Sequence, residues 1–304
     1  MRKEKDSMGE VLVPDNAYYG AQTQRAFENF PISNRKIPET LIKSLAMIKK
    51  SAAIVNHKLD RLDDSIKNAI TTACDEVIDG KYDDQFIVDI FQTGSGTSSN
   101  MNINEVLSNR SNEILGHSLG EKFPVHPNDH VNLGQSSNDT FPSAINLSIS
   151  LDVKSNLLPA LNELLKSLKV KTDKFSNIIK IGRTHLQDAT PITLGQEFSG
   201  YAQMVENSIS KIESSLNYVH FLPQGGTAVG TGINTHPDFG KMIAEELSRE
   251  LGINFSETNN HFEAQSTQDS VLSVSSALRG LAVSLSKIAN DIRFLGSGPR
   301  AGYG

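Results

Sequence analysis

The chain has 304 residues, 38% of them hydrophobic and 21% charged, with one cysteine and no tryptophan. That length predicts about two domains of roughly 150 residues each, with a large core, and the composition excludes a disordered tail. Lys and Arg number 29 against 35 Asp and Glu, for a net charge of −6 without any basic block. Nucleic acid is therefore excluded as a partner, because affinity for phosphate backbones needs clustered cations. No unbroken apolar run approaches the roughly 20 residues of a bilayer span, so no membrane partner is expected.

The first seven residues include Glu4 and Asp6 and lack an apolar core, unlike a secretory leader. A cytoplasmic protein is the expectation. Residues 10–13 are the only strand-like piece. From Leu41 the apolar positions run Leu45, Ile48, Ala52, Val55 and Leu59, one face of a helix entered through Pro38. A shorter helix carries Ile66, Ile70, Ala73 and Val77, with Gly80 placed to end it. Cys74 lies on its pattern and reads as a small buried hydrophobe; a lone cysteine excludes a disulfide framework or a cysteine zinc cluster. Residues 81–140 are polar and broken, with helical pieces expected at 85–92 and 102–115.

Three long segments follow, at residues 142–172, 193–222 and 267–295. They carry Leu157, Leu161, Leu164 and Leu168; then Leu194, Phe198, Tyr201, Val205, Ile209, Ile212, Leu216 and Val219; then Val271, Val274, Leu278, Leu281, Leu285, Ile288, Ile292 and Leu295. A helix of about 29 residues is roughly 43 Å long. Such spacing predicts an all-α protein, a mostly helical N-terminal part followed by an elongated long-helix bundle. Thr193 and Gln196 fit a capping box. The apolar seams are wide, so a homo-oligomer is expected.

Four segments between the helices are rich in small and polar residues. Residues 93–100 (TGSGTSSN) place Ser95, Gly96 and Thr97 in a turn that suits an oxygen anion. Residues 126–140 hold His126, Pro127, Asn128, Asp129 and His130, then Ser136, Ser137 and Asn138 just before a helix opened by Pro142. Free N–H groups and the helix dipole there favour a carboxylate. His126 and His130 lack a third ligand and have Pro127 between them, so no metal is expected. Residues 182–191 set Thr184 and His185 in a loop before the capped helix, where an imidazole is a usable acid–base group. Residues 225–237 hold glycines 225, 226, 230 and 232, a tight backbone path beside a ligand or another chain. These residues point to a small anion held by neutral donors, with proton transfer beside a carboxylate.

The same segments resemble the class II fumarases of the fumarase/aspartase superfamily. The likeness is carried by residues 4–9 and 20–25, 93–105 (TGSGTSSNMNINE), 125–139 (VHPNDHVNLGQSSND), 182–197 (GRTHLQDATPITLGQE) and 225–237, and runs from residue 4 to 304. Aspartases resemble this pattern with Gln at the position of His185 and Thr at that of Ser137. The resemblance implies reversible hydration of fumarate to (S)-malate in the tricarboxylic acid cycle, without metal or organic cofactor. It implies a lyase domain at residues 1–137 and a central bundle domain at 138–304. Ser95, Gly96, Thr97, Ser136, Ser137, Asn138 and Thr184 would bind substrate, and His185 would be the general acid/base. His126, Pro127, Asn128 and Asp129 would form a second carboxylate site. Family members are homotetramers whose sites are shared between subunits. They continue with a GSSxMPxKxNP loop bearing the base serine, a lysine and an asparagine, so the resemblance implies that this chain is an N-terminal fragment with an incomplete bundle, inactive alone. The alternatives are an aspartate ammonia-lyase and a non-catalytic helical homologue that binds anions.

Overall fold

A computed structural model describes residues 1–300, 302 and 303; Ala301 and Gly304 lie outside the described residues. Strands β1 (Arg2–Asp6) and β2 (Gly9–Val13) precede helices α1 (Ala21–Asn29), α2 (Glu39–Lys58), α3 (Asp64–Ile78), α4 (Thr97–Ile114), α5 (Ser137–Asp152) and α6 (Leu158–Lys174). Then come β3 (Ile179–Thr184), β4 (Gln187–Thr193), α7 (Leu194–Val219), β5 (Phe221–Leu222), α8 (Phe239–Leu251), β6 (Ser256–Glu257), α9 (His261–Ser266) and α10 (Asp269–Leu295). The protein is mostly helical. The chain forms two compact units, residues 1–149 with 220–268, and residues 150–219 with 269–304.

In the first unit the core is built by α2, α3 and α4. Leu45, Ile48, Ala52 and Val55 of α2 are buried, as are Ile70, Ala73, Cys74 and Val77 of α3 and Ile103, Val106 and Leu107 of α4. Gly80 ends α3 as its sequence position predicts, with φ +82° and its N–H on the Val77 carbonyl. The start of α1 is held from outside its own sequence. The buried Glu105 of α4 accepts hydrogen bonds from the Gly20, Gln22 and Thr23 amides and from Thr23 Oγ1. A carboxylate on a helix N-terminus satisfies donors that have no partner within the helix.

Two expectations in this unit give way. Residues 85–92 hold only the last residue of a 3-10 turn, Asp83–Gln85. The Asp89 carboxylate instead accepts from the Ser33, Asn34 and Phe91 amides, and the Ile90 N–H goes to the Arg35 carbonyl. A backbone paired to a distant loop has no N–H to spare for a helix. The strand at 10–13 is real, but it pairs antiparallel with β1, from Arg2 opposite Val13 to Asp6 opposite Gly9. The charged β1, RKEKD, shows no apolar alternation by which to read it.

In the second unit α7 packs against both α6 and α10. Tyr201, Val205, Ile209, Ile212, Leu216 and Val219 are buried on α7, and Leu161, Leu165 and Leu168 on α6. The capping box forms as predicted: Thr193 N–H donates to Gln196 Oε1 at 2.9 Å and Gln196 N–H to Thr193 Oγ1 at 3.1 Å. On α10 only Val274, Leu281 and Ile288 are buried, a strict seven-residue spacing. Leu272, Val283, Ile292 and Phe294 stay exposed. By length and composition α10 is apolar enough to cross a bilayer, with a mean hydropathy of 1.3 over its most apolar window, 17% of it buried. The scattered serines and charges hid this from a search for unbroken apolar runs.

Residues 182–191 form not a loop but most of a β-hairpin, antiparallel with Thr184 opposite Gln187. His185 and Leu186 make its two-residue turn with φ +52° and +61°, the left-handed pair that matches strand twist. Replacing Thr193 with Ala is expected to cost about 1 kcal/mol of unfolding free energy by removing one half of the α7 cap, measured by chemical denaturation.

Candidate active site

A cavity of about 550 Å³ opens in the first unit, lined by Gly94, Ser95, Asn138, Phe141, Ala228, Val229 and Gln265 among others. It joins three of the four polar segments: the turn before α4, the first turn of α5, and the 225–237 segment. Ser95 and Thr97 are exposed, with their hydroxyls 2.8 Å apart. Gly96 between them is buried at φ +69°, and a Cβ there would lie 2.3 Å from the Phe141 ring. Its N–H is spent on the Thr93 carbonyl at 2.9 Å, so it shapes the turn. On the facing side Asn138 Nδ2 donates to the Ala228 carbonyl at 2.7 Å.

Helix α5 begins at Ser137, five residues earlier than the expected opening at Pro142, which sits inside the helix. The reason is a second cap. Asp139 Oδ1 accepts the Ser136 N–H at 2.9 Å, and Ser136 Oγ accepts the Asn138 N–H at 3.3 Å. These bonds satisfy the first turn that Pro142 would otherwise have had to open. Asp139 Oδ2 accepts from the Gly225 and Thr227 amides at 3.1 and 2.9 Å. One buried carboxylate thus ties the α5 N-terminus to the glycine-rich segment and sets the two sides of the cavity. Burial pushes the Asp139 carboxyl above the usual carboxylate range, opposed by the Ser136, Thr227 and Gly225 amides and by Lys49.

Lys49 of α2 is also fully buried. Its Nζ donates to Asn132 Oδ1 at 2.7 Å and Gln135 Oε1 at 3.0 Å. Burial pulls the ammonium down to about 7, opposed by the negative charge of Asp139. Asn132 Oδ1 also receives Asn100 Nδ2 at 3.2 Å, and the same Nδ2 reaches Ser137 Oγ at 3.1 Å.

The remaining expected residues stand elsewhere. His126 caps a single π-helical turn, Pro127–Val131, its Nδ1 accepting from the Asn128 and Asp129 amides. Its own N–H goes to His130 Nδ1 at 2.8 Å. Asn128 and Asp129 are exposed, and Pro127 is buried. None of the four lines the 550 Å³ cavity. Thr184 and His185 belong to the second unit, exposed at the hairpin tip.

Reading the sequence passed over Lys49, and treated Asn100 and Asp139 only as parts of polar runs. A signal for Lys49 was present: it stands four residues from Leu45 and three from Ala52, a cation on an apolar stripe, where a buried charge needs dedicated partners.

Residues 9–304 match the protein family described as lyase. The chain is 55% identical to a mitochondrial fumarate hydratase of Saccharomyces cerevisiae, over 99% of this chain and 62% of that protein. It is 54% identical to a class II fumarate hydratase of Campylobacter jejuni, over 100% of this chain and 65% of the relative. Among solved structures, a class II fumarase from Schistosoma mansoni superposes with a TM-score of 0.97 at 43% identity, over 99% of this chain and 66% of the other. The chain therefore spans a little under two thirds of the length of these relatives.

Replacing Asp139 with Ala leaves three buried or half-buried amides without an acceptor. At about 1–3 kcal/mol for each unsatisfied group, a loss of at least about 3 kcal/mol is expected in denaturant unfolding.

Proposed function

The chain belongs to the lyase family, and from that premise we propose that the intact protein hydrates fumarate reversibly to (S)-malate by acid–base chemistry, with no metal or organic cofactor. The observation that supports this best is the cavity itself. Ser95 at the entry to α4 and Asn138 in the first turn of α5 line one opening, and helix N-termini with neutral donors suit a carboxylate without a competing cation. The names of the relatives give the substrate class.

In the malate-to-fumarate direction, a base takes the proton from the carbon beside one carboxylate. The electron pair of that C–H bond moves into the carboxylate, which becomes a doubly charged aci-carboxylate. That pair then returns to form the C=C bond as the neighbouring C–O bond breaks, and the hydroxyl leaves as water after accepting a proton. A positioned acid–base group contributes about 10²–10⁴-fold, and preorganised donors must hold the extra negative charge. In this proposal Ser95, Thr97, Ser136, Ser137, Asn138 and Thr184 supply donors, Gly96 the turn, and His185 the acid–base function. The left-handed turn that carries His185 gives its side chain a defined base on a paired hairpin. His126, Pro127, Asn128 and Asp129 are proposed as a second, peripheral carboxylate site.

Homotetrameric assembly, with each site completed by residues of neighbouring subunits, is part of the same proposal. The uncovered apolar side chains of α10 support it, since exposed apolar patches of this kind mark association surfaces. A cytoplasmic location is proposed for this chain; the yeast relative is named as mitochondrial.

The direct test is absorbance of fumarate formed from malate by the intact protein, alongside ammonia release from aspartate. Fumarate without ammonia is expected, and ammonia release would favour an aspartate ammonia-lyase. Replacing His185 with Asn is expected to lower kcat by about 100-fold or more; a loss below about threefold would remove His185 from the mechanism. Dilution to monomers, followed by light scattering, is expected to abolish turnover.

A further inference from the structure

We propose that Lys49 is a positioning residue for the dicarboxylate site, holding from inside the first unit the 132–136 turn that presents Asn138 and the start of α5 to the cavity. The inference rests on the dicarboxylate reading of that cavity and goes beyond it in naming a residue that touches no substrate.

A fully buried lysine is costly, and a methionine or leucine of similar volume would fill the same space without a desolvation penalty. Among the described residues Lys49 has no ion-pair partner within 4.0 Å; its ammonium is spent on two side-chain amide oxygens, those of Asn132 and Gln135. Those two residues belong to one turn and are joined to each other, Asn132 Nδ2 donating to the Gln135 carbonyl at 3.1 Å. Gln135 Nε2 closes the turn on the Val131 and Leu133 carbonyls. Seven residues along α2, on the same face, Asn56 Nδ2 donates to the Leu133 carbonyl at 3.0 Å. Helix α2 thus grips this turn at two points, and Lys49 is the charged one.

The grip is passed on toward the cavity. Asn132 Oδ1 takes both Lys49 and Asn100 Nδ2, and Asn100 Nδ2 also reaches Ser137 Oγ. Because the oxygen faces a cation, it is the oxygen rather than the amine of Asn132 that points inward, and Asn100 must then present its amine to Asn132 and to Ser137. The orientation of three amide and hydroxyl groups follows from one ammonium. Ser137 opens α5, and its neighbour Asn138 lines the cavity.

The ionisable groups facing Lys49 from the elements around it are Asp139 of α5 and Cys74 of α3, both buried. Protonation is disfavoured by burial and favoured by Asp139, so the brace is charged in mild acid and neutral in mild base. The grip on the turn loosens as the proton leaves.

The test is steady-state fumarate hydration by the intact wild type, K49M and N132D from about pH 6 to about pH 9. In the wild type KM is expected to rise as pH passes about 7. K49M is expected to raise KM about tenfold or more at the acid end, with a smaller change in kcat, and to lose that rise with pH. N132D keeps an oxygen for Lys49 and gives it a negative partner, and is expected to move the KM transition upward by about one pH unit or more. A purely structural lysine would not move that transition. An active K49M with wild-type KM and pH profile overturns the inference and leaves the hydratase reading standing. Should K49M fail to fold, N132D decides: an unmoved transition overturns the inference. A wild type that does not hydrate fumarate overturns the hydratase reading, and this inference with it.

Discussion

The buried carboxylate of Asp139 is the point through which the cavity is organised. It lies on the first turn of α5, yet two of its hydrogen bonds go to amides about 86 residues further along the chain. Without them the 225–227 backbone has no partner for its inward N–H groups, and Ala228 and Val229 have no fixed wall to form. Glycine makes the arrangement possible. Gly225 adopts φ +103° and lies so close to Gly240 that a Cβ would meet its Cα at 2.8 Å. The tight path that reads in sequence as lying beside a ligand or another chain is, at Gly225, a contact with the backbone of this same chain at Gly240.

A second buried ionisable group, Lys49, works on the same helix start from the other side. The two share little direct geometry, but each compensates the other's charge, and each spends its hydrogen bonds on backbone or amide groups rather than on a surface ion pair. Buried polar networks of this kind are costly when half satisfied and rigid when complete. Glu105 repeats the device at the start of α1, with four donors on one carboxylate. At α1 and α5 the first unit thus places a buried carboxylate at the helix start, at α5 beside the local Ser136 cap.

The second unit follows a different logic. Its helices α7 and α10 are long, α6 continues from a π-helical segment at Val153–Leu157, and Thr184 and His185 stand exposed at the tip of its hairpin. On α10 a seven-residue seam of Val274, Leu281 and Ile288 is all that is buried of a largely apolar helix. The apolar side chains flanking that seam are what an assembly of several copies would cover. Tyr201, whose hydroxyl donates to Glu197 Oε1 or Asp291 Oδ2, each at 3.0 Å, is the polar fastener between α7 and α10.

Much of this was readable along the chain. The stripes of α2, α3, α7 and α10, the stop at Gly80 and the Thr193–Gln196 box depend on neighbours within four residues, so spacing alone specifies them. The motif-rich segments also announced themselves, because clusters of Gly, Ser and Asn are wasteful as packing. What spacing could not reveal was set by partners far away in sequence. Asp89, claimed by residues 33 and 34, keeps 85–92 from becoming a helix; Asp139 can be buried because the residue 225 and 227 amides donate to it; and Lys49 is tolerated in an apolar stripe only because Asn132 and Gln135 reach it. Local periodicity depends on short-range sterics and is written residue by residue, whereas the satisfaction of buried polar groups is a property of the folded whole, and folding alone settled it.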